Sequence, residues 1–248
     1  MGVRFLEDLR QVLVPPRGSR HGPLPPLLLG LTFVTGLVDA FSYLLLGHVF
    51  VANMTGNVVF LGFAFAGATG FSIPASLVAL GSFVCGALIG GRIRSRIAQH
   101  RGHLLAVTTS FQVLLLGASV VVAGASDEPL AGGDRYALIV LLGISMGIQN
   151  ATARKLAVPD LTTTVLTLTI TGVAADSAIA GGSGSAAGRR LVAVAAMLLG
   201  ALAGAALALH VHIVAPLVIA LIVTAVVAAV SWRAGAGDPA WVRPIEKP

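Results

Sequence analysis

The sequence predicts an all-α, polytopic membrane helix bundle of about six spans plus two re-entrant or broken segments, arranged as an inverted repeat. Three observations predict it: a strongly apolar composition, eight apolar segments of which two open with polar clusters, and a placement of the basic clusters that only two broken segments put on one side.

Of 248 residues, 56% are hydrophobic and 10% carry a formal charge, against about 25% charged in an average soluble domain. A soluble fold could not bury so much apolar surface, whereas segments of roughly 20 residues per span suit one membrane domain with short loops. The net charge of +6 and pI near 10.7 do not mark a nucleic-acid binder. The arginines sit in short runs between apolar segments, where they orient spans and meet anionic headgroups, and no basic stripe carries interleaved aromatics. The partner implied is the lipid bilayer, with no nucleic acid; the oligomeric state is left open. The single cysteine, Cys85, excludes an intramolecular disulfide or a cysteine metal cluster, and reads as a small buried hydrophobe.

Residues 1–26 contain Glu7, Asp8 and five prolines and lack the apolar core of a cleavable signal, so the first span is expected to act as the membrane signal and remain in place. Phe5, Leu6, Leu9, Val12 and Leu13 fall on one side of a helical wheel, opposite Arg4, Glu7, Asp8, Arg10 and Gln11. That pattern fits an interfacial helix ended by Pro15 and Pro16, or a frayed tail.

The apolar segments follow at 27–46, 49–67, 72–91, 104–124, 136–153, 161–180, 191–209 and 213–231. Eight full crossings from an inside N-terminus would place Arg92, Arg94, Arg96 and Arg101 outside, together with Arg154 and Lys155. If the second and sixth segments dip in and return, every basic cluster falls on the inside, and Asp127, Glu128 and Asp134 fall outside. The expected organisation is a cytoplasmic N-terminal segment (1–26), a membrane domain (27–231) with repeats 27–124 and 136–231, and a cytoplasmic tail (232–248). Each repeat reads as span, polar broken segment, span, span; three spans is an odd number, so the halves are inverted. Asp39-Ala40 precedes the Asn53 cluster much as Asn150-Ala151 precedes Asp160 and the threonines. Gly81, Gly86, Gly90, Gly200 and Gly204 are assigned to close helix packing.

Within this frame the candidate solute pathway comprises Asp39, Asn53, Thr55, Asn57, Gln149, Asn150, Thr164, Thr167, Thr171 and Asp176. Asp39 and Asp176 are the acids inside apolar stretches, where a carboxylate must be paired, hydrated or protonated. Asp39 either couples to protons or holds a broken helix. Asn53-Met-Thr-Gly-Asn57 concentrates two carboxamides and a hydroxyl before a short apolar run, and can leave a helix N-terminus aimed at an anion or polar solute. Thr164, Thr167 and Thr171 follow helical spacing and line one face of a pathway or serve helix packing. Gln149 and Asn150 form a polar cytoplasmic mouth beside Arg154 and Lys155. His48, His210 and His212 are expected at the external surface. Neither ligand spacing for a metal nor a nucleophile motif occurs, so no catalytic residue, metal or cofactor is assigned.

The stretch Gly36-Leu-Val-Asp-Ala-Phe-Ser-Tyr-Leu-Leu-Leu-Gly-His-Val-Phe-Val-Ala-Asn-Met-Thr-Gly-Asn57 resembles the YoaK-like family of bacterial multi-pass membrane proteins. Met146-Gly-Ile-Gln-Asn-Ala through Pro159 and Thr162-Thr-Thr-Val-Leu-Thr resembles that family's other signature. The likeness covers about residues 27–231. It implies the bacterial inner membrane, in which the charge placement puts both termini on the cytoplasmic side, and supplies no catalytic residue, because the family is a domain of unknown function. The functional expectation is a transporter or channel for a small polar or anionic solute. The alternatives are an intramembrane enzyme using Asp39 and Asp176, and a structural or regulatory membrane protein.

Overall fold

The computed structural model describes residues 10–16, 18–97, 100–164, 166–177, 180–182, 187–236 and 239–243. The described residues form helices and connecting loops, with no strand among them. In chain order the helices are α1 (Leu24–Leu45), α2 (Met54–Phe65), α3 (Ile73–Ile97), α4 (Arg101–Ala125), α5 (Gly132–Leu156), α6 (Leu166–Ala175), α7 (Ala187–His210) and α8 (Ala215–Gly235). Six of them are long and apolar enough to span a bilayer, whereas α2 and α6 are short.

Most long helices outrun the apolar segments that announce them. Helix α1 starts at Leu24 with prolines in its first turn, where a missing N–H is harmless. Helix α3 continues through Arg92 and Arg94, and α7 begins before Arg189 and Arg190. Conversely, α6 is shorter than segment 161–180, because Thr163 adopts a left-handed backbone (φ 65°) and breaks the helical run. Of the expected interfacial helix, residues 10–13 are helical, while Phe5, Leu6 and Leu9 lie outside the described residues. Val12 is buried and Leu13 exposed.

Glycines set the direction and closeness of the helix pairs. A Cβ on Gly36 of α1 would lie 2.4 Å from the Met197 carbonyl of α7, and one on Gly200 would lie 2.1 Å from the Phe33 carbonyl; Gly204 faces Leu37 and Ala40. The paired residue numbers rise together, so α1 and α7 run parallel. Helices α3 and α5 repeat this arrangement: Gly147 abuts the Phe83 carbonyl at 2.1 Å, Gly86 abuts the Ile144 carbonyl at 2.1 Å, and Gly90 faces Ile148 and Ala151. Gly86 with Gly90, and Gly200 with Gly204, have the small-residue spacing that brings membrane helices into backbone contact. Gly81 does not share this role, since nothing lies within 4 Å of its Cβ position. Cys85 also departs from expectation: it is exposed on α3, because the glycines take the packed side of that helix.

These contacts are related by one substitution of halves. Phe33, Gly36, Leu37, Asp39 and Ala40 correspond at a constant shift to Ile144, Gly147, Ile148, Asn150 and Ala151. Phe83, Gly86 and Gly90 correspond at another constant shift to Met197, Gly200 and Gly204. The remaining packing obeys the same exchange: α4 with α5 mirrors α8 with α1, α2 with α3 mirrors α6 with α7, and α4 pairs with α8. Since α4 runs antiparallel to α5, through Gln112 to Ser145 and Arg101 to Leu156, α1 and α5 enter from opposite ends and the repeat is inverted.

All described arginines and lysines except Arg135 lie at the end where α1, α4 and α7 begin and α3, α5 and α8 finish. There Arg101, 5% exposed, donates to the carbonyls of Arg20 (3.3 Å), Leu156 (2.7 Å) and Trp241 (3.2 Å). One guanidinium thus joins the segment before α1, the C-terminus of α5 and the segment after α8. A buried cation without a carboxylate is tolerable here, because carbonyls at the negative end of α5 accept its protons.

Candidate functional site

After α1 ends, the chain turns back into the bundle instead of continuing across. Asp39 lies within α1, yet its Oδ1 accepts from the N–H groups of Val51 (3.0 Å) and Ala52 (2.8 Å), which lie beyond the helix end. Those residues therefore return to the level of Asp39, and α2 climbs back toward the face from which they came. Asn57 fixes the turn from the other side: its Oδ1 accepts from Phe50 N–H at 2.8 Å and its Nδ2 donates to Phe50 C=O at 2.6 Å. Tyr43, Phe50, Phe60 and Phe71 pack in series, with centroid separations of 5.1, 5.6 and 5.2 Å. Asp39 Oδ2 is buried with no hydrogen-bond partner in the structure.

The second half makes the same turn with different chemistry. Asn150 stands where Asp39 stands, and its Oδ1 accepts from the Thr164 hydroxyl, while its Nδ2 donates to the Met146 carbonyl at 2.9 Å. The loop before Thr164 is held at the basic end by Asp160, which accepts from Arg189 (2.9 Å) and Arg190 (2.9 Å). Burial alone would raise the Asp160 pKa, but the hydrogen bonds and charges of the two arginines bring it below its ordinary value. Arg190 also donates to the Gly172 carbonyl and to Asp176, both at 2.6 Å, closing the outer end of α6.

The two turns bring the N-termini of α2 and α6 to one cavity of about 390 Å³. Asn53, Thr55 and Gly56 line it from the first half, and Asn150, Thr164 and Thr167 from the second. Phe83 and Met197, which correspond in the repeat, supply apolar walls. Among the described residues no charged side chain lines it. Asn53 makes no side-chain capping bond to α2 and its carbonyl accepts from Gly56 N–H at 3.1 Å, so the N–H groups of Met54 and Thr55 have no intrahelical acceptor and none from the Asn53 side chain.

Of the ten residues singled out from sequence, five line this cavity: Asn53, Thr55, Asn150, Thr164 and Thr167. Asp39 and Asn57 hold the first turn from behind. Gln149 is 1% exposed and sits in a helix-joining network: it donates to Thr35 Oγ1 at 2.8 Å and to the Leu31 carbonyl at 3.3 Å, and accepts from Gln112 at 3.0 Å. Thr171 is exposed on α6, one turn beyond Thr167 and further from the helix N-terminus, and is not among the lining residues; Thr164 lies before α6, so the three threonines do not form one helical face. Asp176 lies past the far end of α6, paired with Arg190. The structure does not bring Asp39 and Asp176 together; the length of α6 separates Asp176 from the cavity. Sequence reasoning missed Phe83, Met197 and the Asp160–arginine cluster. The first two could have been found by aligning the repeats on their glycines.

Six long apolar helices, two short helices that turn back and an inverted repeat define a multi-pass integral membrane protein. Residues 27–230 match the family described as "Protein of unknown function (DUF1275)", and the chain belongs to that family. It is 38% identical over 151 residues to the UPF0700 transmembrane protein YoaK of Bacillus subtilis (strain 168), a match covering 60% of this chain and 65% of that relative's length. No solved structure matches the chain.

Proposed function

We propose that this protein is a carrier or channel for a small polar or anionic solute, which binds between the N-termini of α2 and α6. The observation that carries this reading is their convergence on one cavity from opposite halves of an inverted repeat. Non-helical backbone at bilayer depth is tolerated where protein buries it or where it lines a watery cavity. Here the turns expose N–H groups, two carboxamides and three hydroxyls to one space, together with the positive ends of two helices. Such a lining donates hydrogen bonds to an anion or a neutral polar solute and disfavours cations. Asp39 acts as the clamp of the first turn, and Asn150 with Thr164 as that of the second.

The basic end of the bundle is cytoplasmic in this reading, by the positive-inside rule. Both termini are then cytoplasmic, and the host membrane is the bacterial inner membrane. Stopped-flow light scattering on proteoliposomes challenged with urea, glycerol, formate, acetate and nitrate tests the proposal. Faster entry of at least one solute than into empty liposomes, abolished by Thr167→Val combined with Asn53→Leu, is expected. Entry equal to that of empty liposomes for the whole panel, or unaffected by the double variant, overturns it.

A further inference from the structure

A second cavity, of about 330 Å³, lies at the basic end between the segment before α1 and the loop after α5. Its polar wall consists of Gln11, Ser19, Arg20, His21 and Arg189, and its apolar wall includes Val12, Pro15 and Val158. The Gln11 carboxamide can donate or accept, and the other four polar groups are set to donate. The Arg20 residue is exposed and forms no ion pair with a described acid. The Ser19 hydroxyl is buried with no hydrogen-bond partner in the structure. His21 Nδ1 lies 3.2 Å from Arg101 Nη2; a guanidinium can only donate, so Nδ1 accepts and the ring proton resides on Nε2. Arg189 is shared with Asp160 through Nε and Nη2, leaving Nη1 free of that pair.

The local field agrees with this inventory. Burial, and then the positive charges of Arg101, Arg20 and Arg189, hold the His21 pKa below its ordinary value. The site thus concentrates cationic and neutral donors beside an apolar wall, at the end of spanning helices where headgroups lie.

We propose that this cavity is a phosphoryl-anion site, with Arg20, Ser19 and His21 Nε2–H as its donors and Arg189 as a shared cation. Anionic phospholipid headgroups and free inorganic phosphate present the same chemistry. The apolar wall of Val12, Pro15 and Val158 suits the glycerol neck of the former. This site is separate from the cavity between α2 and α6, and its occupancy does not depend on transport.

The test uses the full chain in detergent, with thermal unfolding followed on addition of dioctanoyl phosphatidylglycerol, dioctanoyl phosphatidylcholine or inorganic phosphate. Saturable stabilisation by phosphatidylglycerol but not phosphatidylcholine is expected, by mass action on the folded state. Arg20→Gln should weaken that response about tenfold, as loss of one charge-assisted contact does, and Arg20→Lys should restore most of it. Because the Arg20 side chain is exposed, the melting temperature without lipid should not change; Ser19→Ala serves as a second variant, weakening binding severalfold. Stabilisation by phosphatidylglycerol alone identifies the lipid headgroup as the source. Stabilisation by phosphate alone, with the same loss in Arg20→Gln, identifies free phosphate. Equal responses to the two lipids with none to phosphate, or identical responses of wild type and Arg20→Gln, overturn the proposal.

Discussion

Replacing Gly86 or Gly200 with alanine should separate a helix pair that the fold requires in backbone contact. Each new Cβ would lie 2.1 Å from a carbonyl oxygen of the facing helix, Ile144 for Gly86 and Phe33 for Gly200. Ordinary contact begins at 3.4 Å, so 3.4 less 2.1 leaves about 1.3 Å that the helices must yield. The opposing atom is backbone, so no side-chain rotation relieves the clash. Overpacking of this kind costs about 1–3 kcal/mol, while alanine returns roughly 0.5–1 kcal/mol of helix propensity. Taking the middle of each range, about 2 less about 0.75, leaves a net loss of about 1 kcal/mol for either variant. Gly81→Ala and Gly117→Ala are the controls, because nothing lies within 4 Å of either Cβ position; they should be neutral or stabilising by up to ~1 kcal/mol. Thermal unfolding in one detergent reads all four. Equal melting temperatures across both pairs would refute the close-packing argument, and with it the helix directions drawn from these contacts.

Gln149→Leu should destabilise the protein by about 1–3 kcal/mol, because Thr35 and Gln112 lose a buried partner; chemical unfolding in mixed micelles reads this. Asp39→Ala should speed amide exchange at Val51 and Ala52, whose N–H groups it leaves without acceptors, while exchange within α4 stays unchanged. The depressed pKa of Asp160 stabilises the folded state above the unfolded aspartate pKa, and that stability is lost as pH falls through the folded value. Asp160→Asn should therefore lower the melting temperature at neutral pH and flatten the acid limb of a stability-against-pH curve below about pH 4.

The six spans were legible because charge placement constrains topology independently of hydropathy: Arg92, Arg94 and Arg154 would all fall outside under eight crossings. The broken segments were legible from Asn53 and Thr162–Thr164, polar groups too dense for a lipid-facing helix. Side-chain direction was less accessible. Gln149 and Asn150 are neighbours in sequence, yet one joins three helices and the other faces the cavity, a difference set by their facing on α5. Asn57 belonged to the same polar cluster as Asn53, but turns inward to hold Phe50. Arg101 read as a surface charge because its acceptors, the carbonyls of Arg20, Leu156 and Trp241, are distant in sequence. The glycine register held the most unused information, since it aligns Phe83 with Met197 and Asp39 with Asn150.

The convergence of α2 and α6 is tested most directly by cross-linking Thr55→Cys to Thr167→Cys in a Cys85→Ala background with a short bifunctional thiol reagent. Both residues line one cavity, so the pair should link within a single chain, whereas Phe65→Cys with Ala175→Cys, at the outer ends of the same helices, should not. Linkage of the outer pair, or failure of the inner pair while each single cysteine is labelled, would contradict the account.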